Sequence, residues 1–126
     1  MPGETILIVD DNPVNMKLIR VLLLGEGYVV RTAGDAQEAL AVLKELRPQL
    51  ILMDIQLPDI DGITALAQIR TDPAMNGIPV IAVSASVMPD DQQRIAASGF
   101  DAFITKPINI RSFLETVERY AGKRET

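Results

Sequence analysis

Short hydrophobic runs alternate five times along the chain with longer stretches in which apolar residues recur every three or four positions. Continuous apolar runs are typical of strands that are buried on both faces, and the helical recurrence is typical of amphipathic helices. Regular alternation of the two predicts βαβ units. The pattern therefore indicates an α/β domain with a parallel sheet covered by helices.

The boundaries of these elements follow from the pattern and from cap residues. The predicted strands are 5–9, 28–33, 49–53, 80–83 and 102–105. The first helix is predicted over 13–24, with Asn12 as its N-cap, and the second from Asp35 as N-cap, with Glu38 three positions later, to just before Pro48. The remaining helices are predicted over 62–70, 90–98 and 110–120.

Length and composition are typical of one intracellular domain. A chain of 126 residues, 48% of them hydrophobic, is long enough for a single core, so we expect one domain over 1–126 with its core at about 5–120. The few polar residues at the end cannot form an output domain. The start has no signal peptide, and no apolar run reaches membrane-spanning length. The sequence predicts a cytoplasmic protein with no membrane partner.

The absence of two residue types and the net charge limit the functions that the chain could have. The chain contains neither cysteine nor histidine, so thiol catalysis and disulfides are excluded and Zn²⁺ lacks its commonest ligands. The net charge of −5 argues against nucleic-acid binding, which usually requires a basic surface. Other proteins are the favoured partners.

Charged residues stand where three of the predicted strands end. Asp10 and Asp11 follow the first strand, Asp54 the third and Lys106 the fifth. Because the carboxyl ends of parallel strands open into one crevice, we expect these side chains to converge. Crowded carboxylates repel one another unless a cation lies among them, and oxygen ligands favour a hard divalent ion such as Mg²⁺. The pattern predicts a site that handles a phosphoryl group.

Four motifs in a fixed order resemble a known family. They are Asp10-Asp11-Asn12, the segment 53–58 with Asp61-Gly62, Ser84-Ala85, and Lys106-Pro107. Together they resemble the receiver domain of two-component response regulators, the CheY-like fold, over about 5–120. The resemblance is greatest to stand-alone regulators of the DivK kind and to receivers of hybrid sensor kinases. It implies a flavodoxin-like sandwich with a doubly wound five-stranded parallel sheet in the order 2-1-3-4-5, two helices on one face and three on the other.

The resemblance also implies roles for the acidic residues. Asp54 would be the phosphoacceptor, whose carboxylate attacks the phosphorus of a phosphohistidine. Mg²⁺ would be held by Asp11, by Asp54 and by the backbone carbonyl of Gln56, with Asp10 acting mostly through water. The domain would assist its own phosphorylation and dephosphorylation without being a turnover enzyme.

Three further residues receive roles in the same way. Lys106 would pair with a phosphoryl oxygen, and the family holds the peptide bond between Lys106 and Pro107 in the cis form. Ser84 would hydrogen-bond another phosphoryl oxygen. Phe103 occupies the family's aromatic switch position. Gln56 and Ser86 would lie at the mouth of the site, where Gln56 either orients a hydrolytic water or is merely a solvated loop residue.

Partners follow from the same comparison. The donor would be a histidine kinase or a histidine phosphotransfer protein, because this chain has no histidine. A downstream protein would bind the face formed by the fourth helix, the fifth strand and the fifth helix. The candidate contacts on that face are Arg94, Ile95, Ile108, Arg111 and Glu118.

Simpler interpretations remain for several residues. The acid pair at 10–11 could belong to a loop that simply caps the first helix. Asp54 could be an ordinary loop acid, and Ser84 could hydrogen-bond backbone groups. Lys106 alone would be a solvated lysine, and Phe103 a core aromatic. Two other functions also stay open: a receiver-shaped scaffold that is never phosphorylated, and a Mg²⁺-dependent phosphatase of the dehalogenase type, since 59–62 resembles its Asp-x-Asp-Gly start.

Overall fold

The computed structural model describes residues 4–85 and 89–122. Five strands and five helices alternate within these ranges. The strands are β1 (Thr5–Val9), β2 (Val29–Ala33), β3 (Leu50–Asp54), β4 (Val80–Ser84) and β5 (Ala102–Thr105). The helices are α1 (Pro13–Gly25), α2 (Ala36–Glu45), α3 (Gly62–Arg70), α4 (Pro89–Ala97) and α5 (Ile110–Val117). A 3₁₀ turn, Pro73–Met75, precedes β4, and a π-helical turn, Glu118–Gly122, follows α5.

The sheet is parallel throughout, in the order β2-β1-β3-β4-β5. The predicted topology is therefore confirmed. Residues of β1, β3 and β4 are almost all buried, because helices cover both faces of the sheet. The register pairs Val9 with Met53, so Asp10, which follows β1, is level with Asp54 at the end of β3. This alignment brings the residues at the ends of the two strands together at one edge.

Each face of the sheet has its own apolar core. On one face, α1 and α5 contribute Ile19, Leu23, Phe113 and Val117. On the other, α2 and α3 pack over Leu7, Ile51 and Val80, and Ile95 of α4 extends this layer over Ala82. Two helices therefore cover one face and three the other, as the resemblance implied.

The helix starts are fixed by the residues that the sequence identifies. The side chain of Asn12 accepts hydrogen bonds from the backbone N–H groups of Val14 and Asn15, at 3.0 Å each. Asp35 accepts from Glu38 N–H at 2.7 Å, and Glu38 in turn accepts from Gly34 N–H at 2.8 Å. These bonds satisfy amide groups that have no partner inside a helix.

Several element ends differ from the prediction by a few residues. Tyr28 lies outside β2 because its N–H bonds back to Leu23 O at 3.2 Å and closes the end of α1. Both β3 and β4 extend one residue further than predicted, to Asp54 and Ser84. Helix α5 ends at Val117 rather than at 120, where the chain enters the π-helical turn. None of the described helices is long and apolar enough to cross a membrane.

Candidate phosphoryl and metal site

Three carboxylates converge at the carboxyl edge of the sheet. Asp10 follows β1 directly, Asp11 is the next residue, and Asp54 is the last residue of β3. One carboxylate oxygen from each of the three lies within 4.8 Å of the other two. Asp10 and Asp54 are only 2% and 4% exposed, whereas Asp11 is exposed. The convergence predicted from the sequence is therefore present.

Asp10 is held by donors on both of its carboxylate oxygens. Asn12 N–H donates to Oδ1 at 2.8 Å, and the side-chain amide of Asn15 donates to Oδ2 at 2.6 Å. The backbone N–H of Asp10 is also paired, with Ala33 O at 3.0 Å. Hydrogen bonds to both oxygens fix the orientation of the carboxylate. Nothing in the residue pattern singled out Asn15, because its contact depends on the angle at which α1 leaves β1.

Lys106 reaches the same site from the end of β5. Its Nζ lies 3.0 Å from Oδ2 of Asp54 and 3.7 Å from Oδ2 of Asp10. Its backbone N–H donates to Ser84 O at 2.9 Å, which continues the pairing of β4 with β5 by one residue. The peptide bond between Lys106 and Pro107 is cis, as the resemblance implied. The lysine is therefore an internal partner of the acids and not a solvated surface residue.

The electrostatics of Asp54 reflect its position. Burial raises the pKa of this carboxyl above its ordinary value, and the negative charge of Asp10 acts in the same direction. The N–H of Gln56, which donates to Oδ1 at 2.9 Å, and the ammonium of Lys106 oppose that rise in pKa. Asp54 therefore has two charge-stabilising donors, one on each oxygen, in a site that otherwise disfavours its charge.

The donor set fits a hard divalent cation. The three candidate ligand side chains at this edge are carboxylates, whose oxygens Mg²⁺ prefers to nitrogen or sulfur. Opposite ligands of an octahedral Mg²⁺ are about 4.2 Å apart. The 4.8 Å span of the three oxygens is therefore compatible with one Mg²⁺ that contacts some of these carboxylates directly and others through water. These acids could hold a metal ion.

The remaining predicted site residues surround this cluster. Ser84 ends β4 and is 1% exposed, and its backbone carbonyl accepts from the N–H of Lys106. Gln56 is exposed on the loop that follows β3. Phe103 is half-buried on β5 and packs against the cluster that contains Ile95. Ser86 lies outside the described residues.

One candidate contact of the downstream face is corrected by the structure. Ile95 is 2% exposed and packs with Ile55 and Ala82, so it is a core residue of the α4 layer and cannot contact a partner in this conformation. Helical spacing alone could not distinguish the inner from the outer side of this short helix. Arg94, Arg111 and Glu118 are exposed, as a contact surface requires.

The acids at 59 and 61 both serve as helix caps. Asp61 accepts from Thr64 N–H at 2.8 Å and begins α3. Asp59 accepts from Ala36 N–H and Gln37 N–H, at 3.1 and 2.9 Å, and so binds the start of α2 from a distant loop. The sequence singled out this segment for its resemblance to an Asp-x-Asp-Gly motif. The contact of Asp59 with α2 was missed because it joins segments more than twenty residues apart.

Comparison with known proteins identifies the class. A family model described as the response regulator receiver domain matches residues 6–118. The chain therefore belongs to the response regulator receiver family. It is 43% identical over 119 residues to the polar-differentiation response regulator DivK of Brucella anthropi. The aligned region covers 94% of this chain and 97% of that protein.

Two solved structures are also similar. The receiver domain of the sensor histidine kinase PA1611 from Pseudomonas aeruginosa, determined with a magnesium ion coordinated in its active site cleft, is 31% identical with a TM-score of 0.88, over 96% of this chain and 99% of that one. A chain from the co-crystal structure of the Saccharomyces cerevisiae histidine phosphotransfer protein Ypd1 and the receiver domain of Ssk1 is 30% identical with a TM-score of 0.86, over 96% and 90%.

Membership of this family makes the chain a receiver domain of two-component and phosphorelay signalling. It is homologous both to a stand-alone regulator and to the receivers of sensor kinases. The family does not include phosphatases of the dehalogenase type, and both acids of the Asp-x-Asp segment are already used as helix caps. That alternative is therefore not supported.

Proposed function

We propose that Asp54 accepts a phosphoryl group from a histidine of another protein. The observation that carries this proposal is the arrangement around its carboxylate. Asp54 is buried, receives an ammonium at 3.0 Å from Lys106, and shares its edge of the sheet with Asp10 and Asp11. A buried nucleophile among donors and cation ligands is suited to an anionic electrophile, because the surrounding groups offset the charge that the reaction concentrates.

In this step an oxygen of Asp54 forms a bond to phosphorus as the bond from phosphorus to the imidazole nitrogen breaks. The electron pair of that bond leaves with the imidazole, and the product is an acyl phosphate. Lys106 and the N–H of Gln56, which contact different oxygens of Asp54, orient the carboxylate. We assign the Mg²⁺ ligands to Asp11, Asp54 and the carbonyl of Gln56, with Asp10 linked through water. When bound, Mg²⁺ would neutralise negative charge on the phosphoryl oxygens.

The same proposal gives the response to phosphorylation. Ser84 ends the strand between β3 and β5, so its hydroxyl is suited to a hydrogen bond with a phosphoryl group on Asp54. Movement of this strand end would release Phe103 from the edge of the Ile95 cluster and let it turn inward. The altered face would be the outer side of α4, β5 and α5, where a downstream protein binds.

The phosphodonor is a histidine kinase or a histidine phosphotransfer protein, which must bring its histidine to the site. Exposed apolar residues beside the site support a protein partner. Val14 is 79% exposed in the first turn of α1, three residues after Asp11, and Leu18 and Val21 continue the same helical face. A donor that reaches Asp54 would cover the start of this face, and apolar surface of this kind is informative when contiguous.

We further propose that the protein acts in the cytoplasm as a stand-alone regulator. Its greater identity to DivK than to the kinase receiver supports this assignment. Its output would be a change in protein contacts, with neither nucleic acid nor membrane as a partner. The alternative is that it serves as the receiver of a hybrid kinase.

Intact-mass measurement after incubation with acetyl phosphate and Mg²⁺ tests the phosphoacceptor. Wild type should gain one phosphoryl group, and Asp54→Asn should gain none. Asp72→Asn is a matched control, because Asp72 also accepts a backbone N–H, from Ala74, but caps the 3₁₀ turn that precedes β4. Addition of a phosphoryl group to Asp54→Asn would contradict the proposal, and so would an unmodified wild type.

A second experiment tests the donor surface. Val14→Asp should slow transfer from a phosphorylated histidine phosphotransfer protein but not from acetyl phosphate, since only the protein donor needs the α1 face. Val29→Asp is the control, because Val29 is 48% exposed but lies at the start of β2 and not on α1. Equal transfer rates for wild type and Val14→Asp would exclude this face.

A further inference from the structure

The loop between β3 and α3 is closed at its base. Gly62 N–H donates to Ile55 O at 2.7 Å, so the first and last residues of the segment 55–62 are directly joined. A Cβ at position 62 would lie 2.7 Å from Asp54 O and 2.8 Å from Ile55 Cα. Contacts this short exclude a side chain at 62, and the base of the loop is therefore tight against the residue that follows the strand end.

The tip of the same loop is anchored to a different element. Asp59 accepts at Oδ1 from Ala36 N–H at 3.1 Å and at Oδ2 from Gln37 N–H at 2.9 Å. It also accepts at Oδ1 from its neighbour Ile60 at 2.9 Å, which fixes the carboxylate within the turn. Both oxygens are thus bound to the first two residues of α2.

Helix α2 already has a cap of its own. Asp35 precedes the helix and accepts from Glu38 N–H at 2.7 Å. The two acids therefore satisfy different amide groups: Asp35 binds within its own segment, and Asp59 connects the β3–α3 loop to the start of α2. Asp59 itself is exposed. The hydrogen bonds that it accepts from backbone N–H groups lower the pKa of its carboxyl below the ordinary value. It therefore stays ionised at neutral pH and keeps its full strength as an acceptor.

Between base and tip lie only the three residues 56–58. Gln56, the first of them, carries the carbonyl that the proposed function gives to Mg²⁺, and its N–H already binds Asp54 at 2.9 Å. Because a short segment fixed at both ends has little conformational freedom, the anchor at Asp59 limits how far the Gln56 carbonyl can move.

We infer that Asp59 is a positioning residue for the metal site, which it serves by anchoring the loop of Gln56 to the start of α2. This inference rests on the proposed function, since it concerns the ligand that Gln56 supplies. Residues that orient a metal ligand without touching the metal commonly change metal affinity by about 10- to 100-fold when replaced. Release of the Asp59 anchor should lower Mg²⁺ affinity although all the carboxylate ligands remain.

Calorimetric titration of the full chain with MgCl₂ tests the inference with four proteins. Asp59→Ala should weaken Mg²⁺ binding about tenfold relative to wild type. Asp59→Asn keeps one acceptor oxygen for the start of α2 and loses the other, so it should weaken Mg²⁺ binding less than Asp59→Ala does. Asp35→Ala should bind as wild type does, because it removes the cap within α2 but leaves the loop anchored.

Three results would overturn the inference. They are unchanged affinity in Asp59→Ala, an equal loss in Asp59→Asn, which would indicate a charge effect, and an equal loss in Asp35→Ala, which would indicate fraying of α2. Hydrogen exchange of the Gln56 amide in metal-free protein gives a second readout. That amide should exchange faster in Asp59→Ala than in Asp35→Ala, and equal rates would also overturn the anchor.

The two readouts separate this inference from the proposed function. A wild type that binds no Mg²⁺ would contradict the metal site itself. The anchor would then be judged by the exchange of the Gln56 amide alone, with the same two outcomes.

Discussion

The Nζ of Lys106 lies 3.0 Å from Oδ2 of Asp54, a residue 52 positions earlier in the chain. The two come from β5 and β3, which are not neighbours, because β4 lies between them. Adjacent strands are about 4.8 Å apart, so the side chains of Lys106 and Asp54, with the contact between them, together span roughly 10 Å across the end of β4. Ser84 is the last residue of this intervening strand. The roles proposed for Lys106 and Ser84 require the two residues to lie on this side of Asp54.

Removal of Asp11 should abolish most of the stabilisation by Mg²⁺. A ligand that binds only the folded state adds RT ln(1 + [L]/Kd), which is about 2.7 kcal/mol at 100 times Kd. Thermal melts should show a rise in Tm with Mg²⁺ for wild type, and little rise for Asp11→Ala. Asp72→Ala, at the distant 3₁₀ turn, should keep the full rise. An equal rise in wild type and Asp11→Ala would exclude Asp11 as a ligand.

Lys106→Ala should separate phosphorylation from its effect. Asp54 would keep the N–H of Gln56 and its neighbouring acids, so we expect some phosphorylation but no gain in partner binding. Lys106→Arg should restore only part of that gain, because a planar guanidinium replaces a compact ammonium. Binding assays with phosphorylated and unphosphorylated protein measure the difference. A full gain in Lys106→Ala would remove the lysine from the coupling.

Gly62→Ala should destabilise the domain, whereas Gly25→Ala should not. A Cβ at 62 meets backbone atoms at 2.7 and 2.8 Å, which cannot move without displacing Asp54 and Ile55. Overpacking of this kind costs about 1–3 kcal/mol. At Gly25, the last residue of α1, nothing lies within 4 Å of the added Cβ, and alanine favours the helix by up to about 1 kcal/mol. Urea unfolding should show a lower free energy of unfolding than wild type for Gly62→Ala and an equal or higher one for Gly25→Ala. A Gly62→Ala variant as stable as wild type would contradict the close packing at 62.

Asp61 should contribute a part of the stability that is lost in acid. The N–H of Thr64 lowers the pKa of this carboxyl below its ordinary value, with the charge of Arg94 adding to the effect. Its contribution is therefore complete above the ordinary value of about 3.9 and disappears as the pH falls through the lowered pKa. Asp61→Asn caps the helix without titrating. At neutral pH this variant should have a free energy of unfolding about 0.3–1 kcal/mol lower than that of wild type, and the difference should vanish in acid. Thermal melts in which the two proteins differ equally at all pH values would contradict this assignment.

The hydrophobic pattern was sufficient to predict a parallel α/β sheet and the convergence of the acids at one edge, whereas the strand order was predicted from the family resemblance. Buried runs such as 80–83 and caps such as Asn12 are local signals, and parallel strands must bring their ends to one edge. In the order β2-β1-β3-β4-β5 the ends of β1, β3 and β5 lie close enough for Asp10, Asp54 and Lys106 to meet.

The contacts that the sequence did not predict depend on how elements lie against one another. Asn15 reaches Asp10 because of the path of α1, and Asp59 reaches Ala36 because the β3–α3 loop folds towards α2. Ile95 was assigned to the surface, but α4 turns it inward onto Ala82. Residue spacing within one element contains no record of such angles.

The strand order divides the chain into two parts with different tasks. The acids at 10, 11 and 54 all come from the first three strands, whereas Ser84, Phe103 and Lys106 come from the last two. If these residues act as proposed, the first part supplies the acceptor and the metal ligands, and the second part supplies Lys106 and the residues that change the surface after phosphorylation. Substitutions after β3 could then change which downstream proteins a receiver binds, while the acceptor and the metal ligands stay the same. A chimaera joined between β3 and β4 would keep the acceptor of one parent and bind the downstream partners of the other.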